Sequence, residues 1–400
     1  MRKYSALALL RRITLLLLVA AAVVTLSSCH DDDDGPDVEQ NKKTLFMYYP
    51  WSTNLTDAFK NNILDMEEAI SKAGLNGERV IVFIATSSTE AEMFEITCSG
   101  GECSRTELKT YYNPSYVTVE GISGILNDMK TFAPADTYSM IIGCHGMGWV
   151  PVEGKNSAML HSPAFVPHYN AGNGYAMTRY FGGITSQYQT DISTLAEAIG
   201  NTGLKMEFIL FDDCYMSSVE AAYDLRNVAG HIIACPTEIM AYGMPYDKIG
   251  ASLLGEPDYQ AVAQGFYDFY STYTYPYGTL GIIDCSQLDA LAEIMKVINS
   301  RYEFDSAQLA GLQRMDGYTP VLFYDFGDYV EHLCPDEALL AEFKARLARA
   351  VPYAVHTGQY YSASCGAVDI YTYSGITTSE PSTHSLAADV VDTNWYKATH

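Results

Sequence analysis

The stretch that most limits what this chain can fold into is Lys205–Tyr223, KMEFILFDDCYMSSVEAAY. It opens on an apolar, β-prone run, Phe208-Ile209-Leu210-Phe211. A run this bare of polar residues suits a strand buried on both faces, as in a parallel sheet covered by helices. Asp212-Asp213-Cys214 follow, and Met216, Val219, Ala222 and Tyr223 then recur at helical spacing. The pattern predicts strand, tight turn, helix. Ligands of open α/β sheets bind beyond the carboxyl ends of strands. Cys214 is therefore placed for chemistry, close to the next helix's N-terminus, where backbone N–H groups and the helix dipole stabilise a thiolate. The bland alternative is a small buried hydrophobe, the commoner fate of a cysteine.

A second stretch strengthens the chemical reading. Tyr138–Gly143, YSMIIG, is another apolar run, and it leads into Cys144-His145-Gly146-Met147-Gly148-Trp149. A histidine at a strand end has a side chain that titrates near neutral pH. Gly146 beside it is free to expose its backbone N–H in conformations other residues avoid. Two strands, one ending in His-Gly and the other in Asp-x-Cys, are more specific than either motif alone.

These residues resemble the clostripain-like cysteine peptidases, which share their fold with caspases, gingipains and legumains. The resemblance rests on HGMGW at His145–Trp149 and FDDCYMSSVEAAY at Phe211–Tyr223. Weaker matches are TLFMYYPWSTNL at Thr44–Leu55, where Asn54-Leu55 aligns with an N-terminal signature, HIIACPTEIMAYGMPY at His231–Tyr246, and CGAVDIY at Cys365–Tyr371. It implies an α/β fold, a caspase-like three-layer sandwich with a mostly parallel central sheet and helices on both faces. It also implies a cysteine endopeptidase cleaving after Arg, then Lys. Cys214 is the expected nucleophile and His145 the proton carrier, with the backbone N–H groups of Gly146 and Cys214 facing the oxyanion. Nothing in the sequence demands a third triad member.

Asp212 matches the acid that lines the first specificity pocket of these relatives, where a buried carboxylate selects a cationic side chain; its plainer role is a helix N-cap. Asp213 is the variable middle position, expected to point elsewhere. Thr237, Glu238 or Tyr242 is expected to supply a second pocket wall, although Pro236-Thr237-Glu238 departs from the Ser-Glu pattern of the family. Met216, Glu220 and Tyr223 fit packing and helix anchoring. The family is cut within its long loop after a basic residue; between Val150 and Asp191 the basic residues are Lys155 and Arg179. No cofactor is required and no metal site is expected; calcium assists some relatives, but no EF-hand-like loop occurs.

The chain starts with Arg2, Lys3, Arg11 and Arg12, an apolar run Ile13–Val24, and Leu26-Ser27-Ser28-Cys29. A basic region followed by a short apolar one reads as a secretory signal. The ending resembles a lipoprotein box, making Cys29 the lipidated residue of an outer-membrane lipoprotein of a Gram-negative bacterium, facing either the periplasm or the cell surface. The acidic run Asp31–Asp34 that follows reads as a tether. The expected organisation is a signal at 1–28, a tether at 29–42, a catalytic domain at 43–290 and a C-terminal α/β extension at 291–400, in a monomer.

Formal net charge is −24, with 24 basic and 48 acidic residues. Removing residues 1–28 takes away four basic residues and no acidic ones, leaving −28. That charge argues against nucleic acid and anionic membrane surfaces as partners and favours cationic ligands. Protein or peptide substrates bearing Arg or Lys are the expected partners. Cys98 and Cys103 bracket Ser-Gly-Gly-Glu, a spacing that can close a hairpin by a disulfide in an exported protein. Cys144, Cys235 and Cys285 end apolar runs and read as buried thiols. A second class of function fits the same chain: a catalytically silent surface lipoprotein that binds proteins or peptides on this scaffold. Such a binder has no chemical need for both His145 and Cys214.

Overall fold

The apolar runs become strands of a single sheet. The computed structural model describes residues 41–152 and 186–400. The signal, Cys29 and nearly all of the tether, together with Lys155 and Arg179, lie outside the described residues.

The first half runs β1 (Lys43–Tyr49), α1 (Thr56–Ala73), β2 (Glu78–Ala85), β3 (Glu90–Ser99), β4 (Glu102–Tyr112), α2 (Val119–Phe132), β5 (Thr137–Ile142), α3 (Ile192–Asn201) and β6 (Met206–Phe211). Then come α4 (Val219–Leu225), β7 (Ala229–Ala234), α5 (Tyr246–Leu253), α6 (Tyr259–Thr272), β8 (Thr279–Asp284) and α7 (Leu288–Asn299). The chain ends with β9 (Tyr324–Asp325), α8 (Phe326–Leu333), α9 (Glu337–Ala350), β10 (Tyr353–His356), β11 (Gln359–Ser362), β12 (Gly366–Asp369), β13 (Thr377–Thr378) and α10 (Asn394–Thr399).

Nine of the described strands form the central sheet, in the order β10-β8-β7-β6-β5-β1-β2-β3-β4. Its middle, β7-β6-β5-β1-β2, is parallel. All seven residues of β1 are buried, as a strand covered on both faces requires. In β3 burial alternates over its first residues, so one face of the outer hairpin meets solvent. Helix α1 buries Phe59, Ile63, Met66 and Ile70, one stripe at helical spacing, and packs on α5, which packs on α6. Helices α2, α3 and α4 pack in succession, and α10 joins α4 to α7.

From β1 the chain grows one way through β2, β3 and β4, then returns to place β5 on the other side of β1. The sheet order therefore reverses between β1 and β5. Right-handed crossovers put α1 and α2 on opposite faces at such a reversal, and the crevice above it is where α/β sheets bind ligands.

Residues Asn41–His400 form one compact unit. The segment beyond 290 supplies β10 to the central sheet, pairing Tyr353 with Ile282. Two sequence expectations are corrected. The run at 366–373 reads as one strand from the sequence, but only Gly366–Asp369 forms one, β12, paired with β11 in a separate two-stranded hairpin; further on, Gly375 O accepts from Ser217 Oγ at 2.7 Å. The helix after Cys214 begins only at Val219, capped by Ser218. Tyr215 and Ser217 instead donate their N–H groups to Thr237 O and Cys235 O, at 3.0 and 3.1 Å, which ties the turn to the end of β7 and its loop and keeps it out of the helix. The hairpin disulfide Cys98–Cys103 is formed, and Cys144, Cys235 and Cys285 are buried.

Candidate active site

Strands β5 and β6 run parallel with Ile142 beside Phe211. Continuing that register sets Cys144 beside Asp213 and His145 beside Cys214. The contacts agree: Cys144 N donates to Asp213 Oδ1 at 2.5 Å. The glycines of the histidine loop show how closely the two turns meet. A Cβ on Gly146 would lie 2.1 Å from Cys214 O and 2.8 Å from Cys214 N. At Gly148, whose φ is +60°, it would lie 2.9 Å from Tyr215 O. All three distances are shorter than real side chains tolerate, so each glycine is demanded by the cysteine turn. Gly146 is not among the glycines with positive φ. The expectation that it needs unusual backbone freedom is thus replaced by close approach.

His145 is fully buried, and its Nε2 lies 2.8 Å from Asn54 Oδ1. An amide oxygen only accepts, so this bond requires the proton on Nε2 and leaves Nδ1 as the basic nitrogen. Asn54 follows β1, so the contact spans the crevice where the sheet order reverses. The sequence marked Asn54 only as part of a motif and predicted no partner for the histidine; only the strand order brings them together.

Cys214 is fully buried too, and its Sγ accepts the Ile239 N–H at 3.4 Å. The donor expected from the next helix is absent from this bond, because α4 starts after Ser218, whose own Oγ accepts Ala221 N. The β7 loop supplies the donor instead.

The described residues with positive φ other than glycine are Thr53, Asn113 and Tyr215, at 75°, 48° and 60°. Asparagine tolerates that region, whereas Thr and Tyr rarely enter it, and it costs on the order of 1–2 kcal/mol per residue. Thr53 precedes Asn54 and Tyr215 follows Cys214. Backbone strain of this kind collects at functional sites when surrounding contacts over-determine it. For Tyr215 those contacts are the bond to Thr237 O, a 2.8 Å bond from its hydroxyl to Glu238 Oε1, and stacking on Phe323 with centroids 5.0 Å apart.

Of the expected specificity residues Asp212, Thr237 and Glu238 are buried, and Tyr242 is half-buried. Asp212 Oδ1 accepts Met244 N at 2.9 Å, and Oδ2 accepts the Tyr246 hydroxyl at 3.3 Å. Asn62 of α1 steadies the same loop by donating to Tyr242 O and Met244 O. Glu238 accepts from Tyr215, from the Ser362 hydroxyl and from Ala363 N. Thr237 Oγ1 lies 2.7 Å from Thr279 Oγ1. In this conformation Glu238 and Thr237 tie the β7 loop to β11 and β8. Tyr242 donates to Asp65 Oδ2 at 2.9 Å.

Glu220 anchors the helix after the cysteine turn. Its Oε1 accepts the Thr378 hydroxyl and Ser379 N, each at 2.8 Å, and Ser379 Oγ accepts the Trp149 indole N–H at 2.9 Å. Burial pushes its carboxyl up to about 7. Among the described residues no group of three or more His, Cys, Asp or Glu gathers as a metal site, and no helix is long and apolar enough to cross a membrane.

The profile of the clostripain family, Peptidase_C11, matches residues 48–318. A solved structure of a secreted C11 cysteine protease from Bacteroides thetaiotaomicron, "iotapain", is 52% identical with TM-score 0.83, over 90% of this chain and 99% of that one. A clostripain from Bacteroides thetaiotaomicron ATCC 29148, solved with the peptide inhibitor BTN-VLTK-AOMK, is 58% identical with TM-score 0.55, over 55% of this chain and 99% of its own. An inactive zymogen C11 protease from Parabacteroides distasonis is 26% identical with TM-score 0.73, over 90% of this chain and 98% of its own. Curated proteins yield no significant match. Sheet and relatives together define a cysteine protease with a caspase-like α/β fold. The chain belongs to the clostripain family.

Proposed function

We propose that this protease is an endopeptidase cleaving after arginine and, second, lysine, with Cys214 as nucleophile and His145 as proton carrier. The observation that carries the reading is the close approach of the Gly146 and Cys214 backbones, which sets both side chains at neighbouring strand ends. The Cys214 thiolate attacks the scissile carbonyl carbon, and the oxyanion faces the N–H groups of Gly146 and Cys214. His145 gives its proton to the departing amine, leaving a thioester, then takes a proton from the water that hydrolyses it. The steps need neither metal nor cofactor.

Asp212 serves as the floor of the first pocket. An arriving guanidinium replaces the longer of its bonds, from the Tyr246 hydroxyl, by a charge-assisted one. A 58% identical relative holds an inhibitor whose peptide, VLTK, ends in lysine, which supports a basic preference. Because Cys214 and His145 are both buried, access requires a rearrangement, and a cut after Lys155 or Arg179 is its proposed trigger. The connection bearing both leaves and returns at one place, where Val152 N donates to Asp191 Oδ1 at 2.7 Å. We assign Cys29 as the lipid anchor of an outer-membrane location, in line with a relative described as secreted.

Turnover of fluorogenic peptides ending in Arg, Lys or a neutral residue, measured with EDTA present, tests the reading. Arg is expected to exceed Lys, neutral peptides to be poor, and Asp212→Ala to lower Arg cleavage by at least ~100-fold, since removing one partner of a buried charge pair costs about 3–5 kcal/mol. Equal losses on basic and neutral peptides would refute the pocket role. Activity lost to EDTA and restored by calcium would assign calcium a part.

A further inference from the structure

We propose that Asp213 is a positioning residue, the clamp that sets His145 against Cys214. Sequence reading passes over it as the middle of Asp-x-Cys, yet its side chain turns away from solvent and crosses to the neighbouring strand end. It is fully buried. Its Oδ1 accepts the Cys144 N–H at 2.5 Å, and its Oδ2 lies 3.6 Å from Cys144 Sγ, within reach of the thiol proton. One carboxyl group therefore grips, twice, the residue immediately before His145, while its own backbone continues directly into Cys214. A Cβ on Gly146 would come within 2.9 Å of the Asp213 Cβ, so the same side chain also walls the turn on the far side of the histidine.

At the last rung of the two strands Asp212 N donates to Ile142 O at 2.8 Å; beyond it Asp213 bonds Cys144, and the approach of Gly146 on Cys214 is steric. Close packing limits how near the two strand ends come, and the Asp213 bonds oppose their sliding along the strand direction. Displacing a reacting group by about 1 Å costs on the order of 100-fold in rate. The clamp thus acts on the chemical step, and not on binding of the substrate's basic side chain.

The inference rests on the Cys214–His145 reading, and the experiment separates the two. Full-length wild type, Cys214→Ala, His145→Ala, Asp213→Ala and Asp213→Asn are compared on an Arg peptide, with kcat and KM resolved. The rate of Cys214 alkylation by iodoacetamide is followed from pH 5 to 9. Asp213→Ala is expected to lower kcat by ~100-fold with KM within about threefold, and to flatten the pH dependence of alkylation, since the imidazole no longer faces the sulfur. Asp213→Asn keeps an acceptor for Cys144 N–H and is expected to recover at least about tenfold of that loss. If Asp213→Ala fails to fold, Asp213→Asn and its alkylation profile carry the test alone: a modest kcat loss with a shifted profile supports the clamp. Wild-type kcat and profile in a folded Asp213 variant, with only a lower melting temperature, overturn it. Turnover persisting in Cys214→Ala or His145→Ala overturns the catalytic reading and this inference with it.

Discussion

At the scale of single residues, the histidine loop and the cysteine turn are fitted to each other by absent atoms. Gly146 and Gly148 stand where a Cβ would enter the backbone at Cys214 and Tyr215. Asn54 completes the arrangement by fixing the imidazole's plane and tautomer. Replacing it with alanine removes the acceptor without touching sulfur or pocket. Asn54→Ala is expected to lower kcat by ~10-fold or more while leaving KM within about threefold. Steady-state kinetics decide it, and an unchanged kcat would show that packing alone holds the ring. The motifs carrying His145, Cys214 and their glycines were readable in the chain because they lie within a few residues of apolar runs. Asn54 as a histidine partner and Asp213 as a clamp were not, since each meets its partner only across strands distant in sequence.

Among the elements, those with strong periodicity were legible. Apolar runs and stripes in the sequence place strands at 44–49, 79–86, 138–143, 208–211, 231–235 and 278–283 and helices at 57–73, 122–131, 192–199, 288–302 and 336–351, and β1, β2, β5, β6, β7, β8, α1, α2, α3, α7 and α9 fall there. Helices α5 and α6 escaped, because aromatic residues around α6 lie outside its buried stripe as well as on it, and packing selects Val262, Ala263, Phe266 and Tyr270 for burial. The late start of α4 escaped as well: Met216 continues the helical spacing, but the bonds of Tyr215 and Ser217 to the β7 loop override it. The β3–β4 hairpin is an element whose role is separable. Its disulfide closes a short loop, with partners five apart in sequence, and it lies at the sheet edge, with β2 and β1 between it and β5. Paired Cys98→Ser and Cys103→Ser substitutions are expected to lower stability by ~2 kcal/mol, the chain-entropy value for so short a loop. Values of kcat/KM should not move. A large fall in activity at a temperature where the variant is folded would tie the hairpin to the site.

On the scale of the whole molecule, buried carboxyl groups make stability depend on pH. Burial pushes Glu220, Glu380 and Asp316 up to about 7, and Asp325 to about 6. Backbone N–H donors from Phe323, Tyr318 and Leu322 only partly offset this for Asp316. In the unfolded chain these groups lose their protons near pH 4. The folded chain therefore holds more protons between about pH 4 and 7, and the stability they contribute is lost as pH rises through the folded values. Burial lowers His231, His384 and His400, which act in the opposite sense below their ordinary range. A comparison of pH 6.5 with 8.5 avoids most of that opposition. Stability is expected to fall by ~2 kcal/mol across it, read from urea midpoints, and Glu380→Gln to flatten the slope. A midpoint that rises or stays level would contradict the burial of these charges. The central claim is more direct: one sulfur and one imidazole, carried to adjacent strand ends, form the bond-breaking pair. Its sharpest measurement is the intact mass of the processed protein after exposure to a lysine-ending peptide electrophile, followed by mapping of the adduct. The account predicts one adduct, on Cys214, formed far more slowly in His145→Ala; labelling of another cysteine, or a rate unaffected by loss of the histidine, would contradict it.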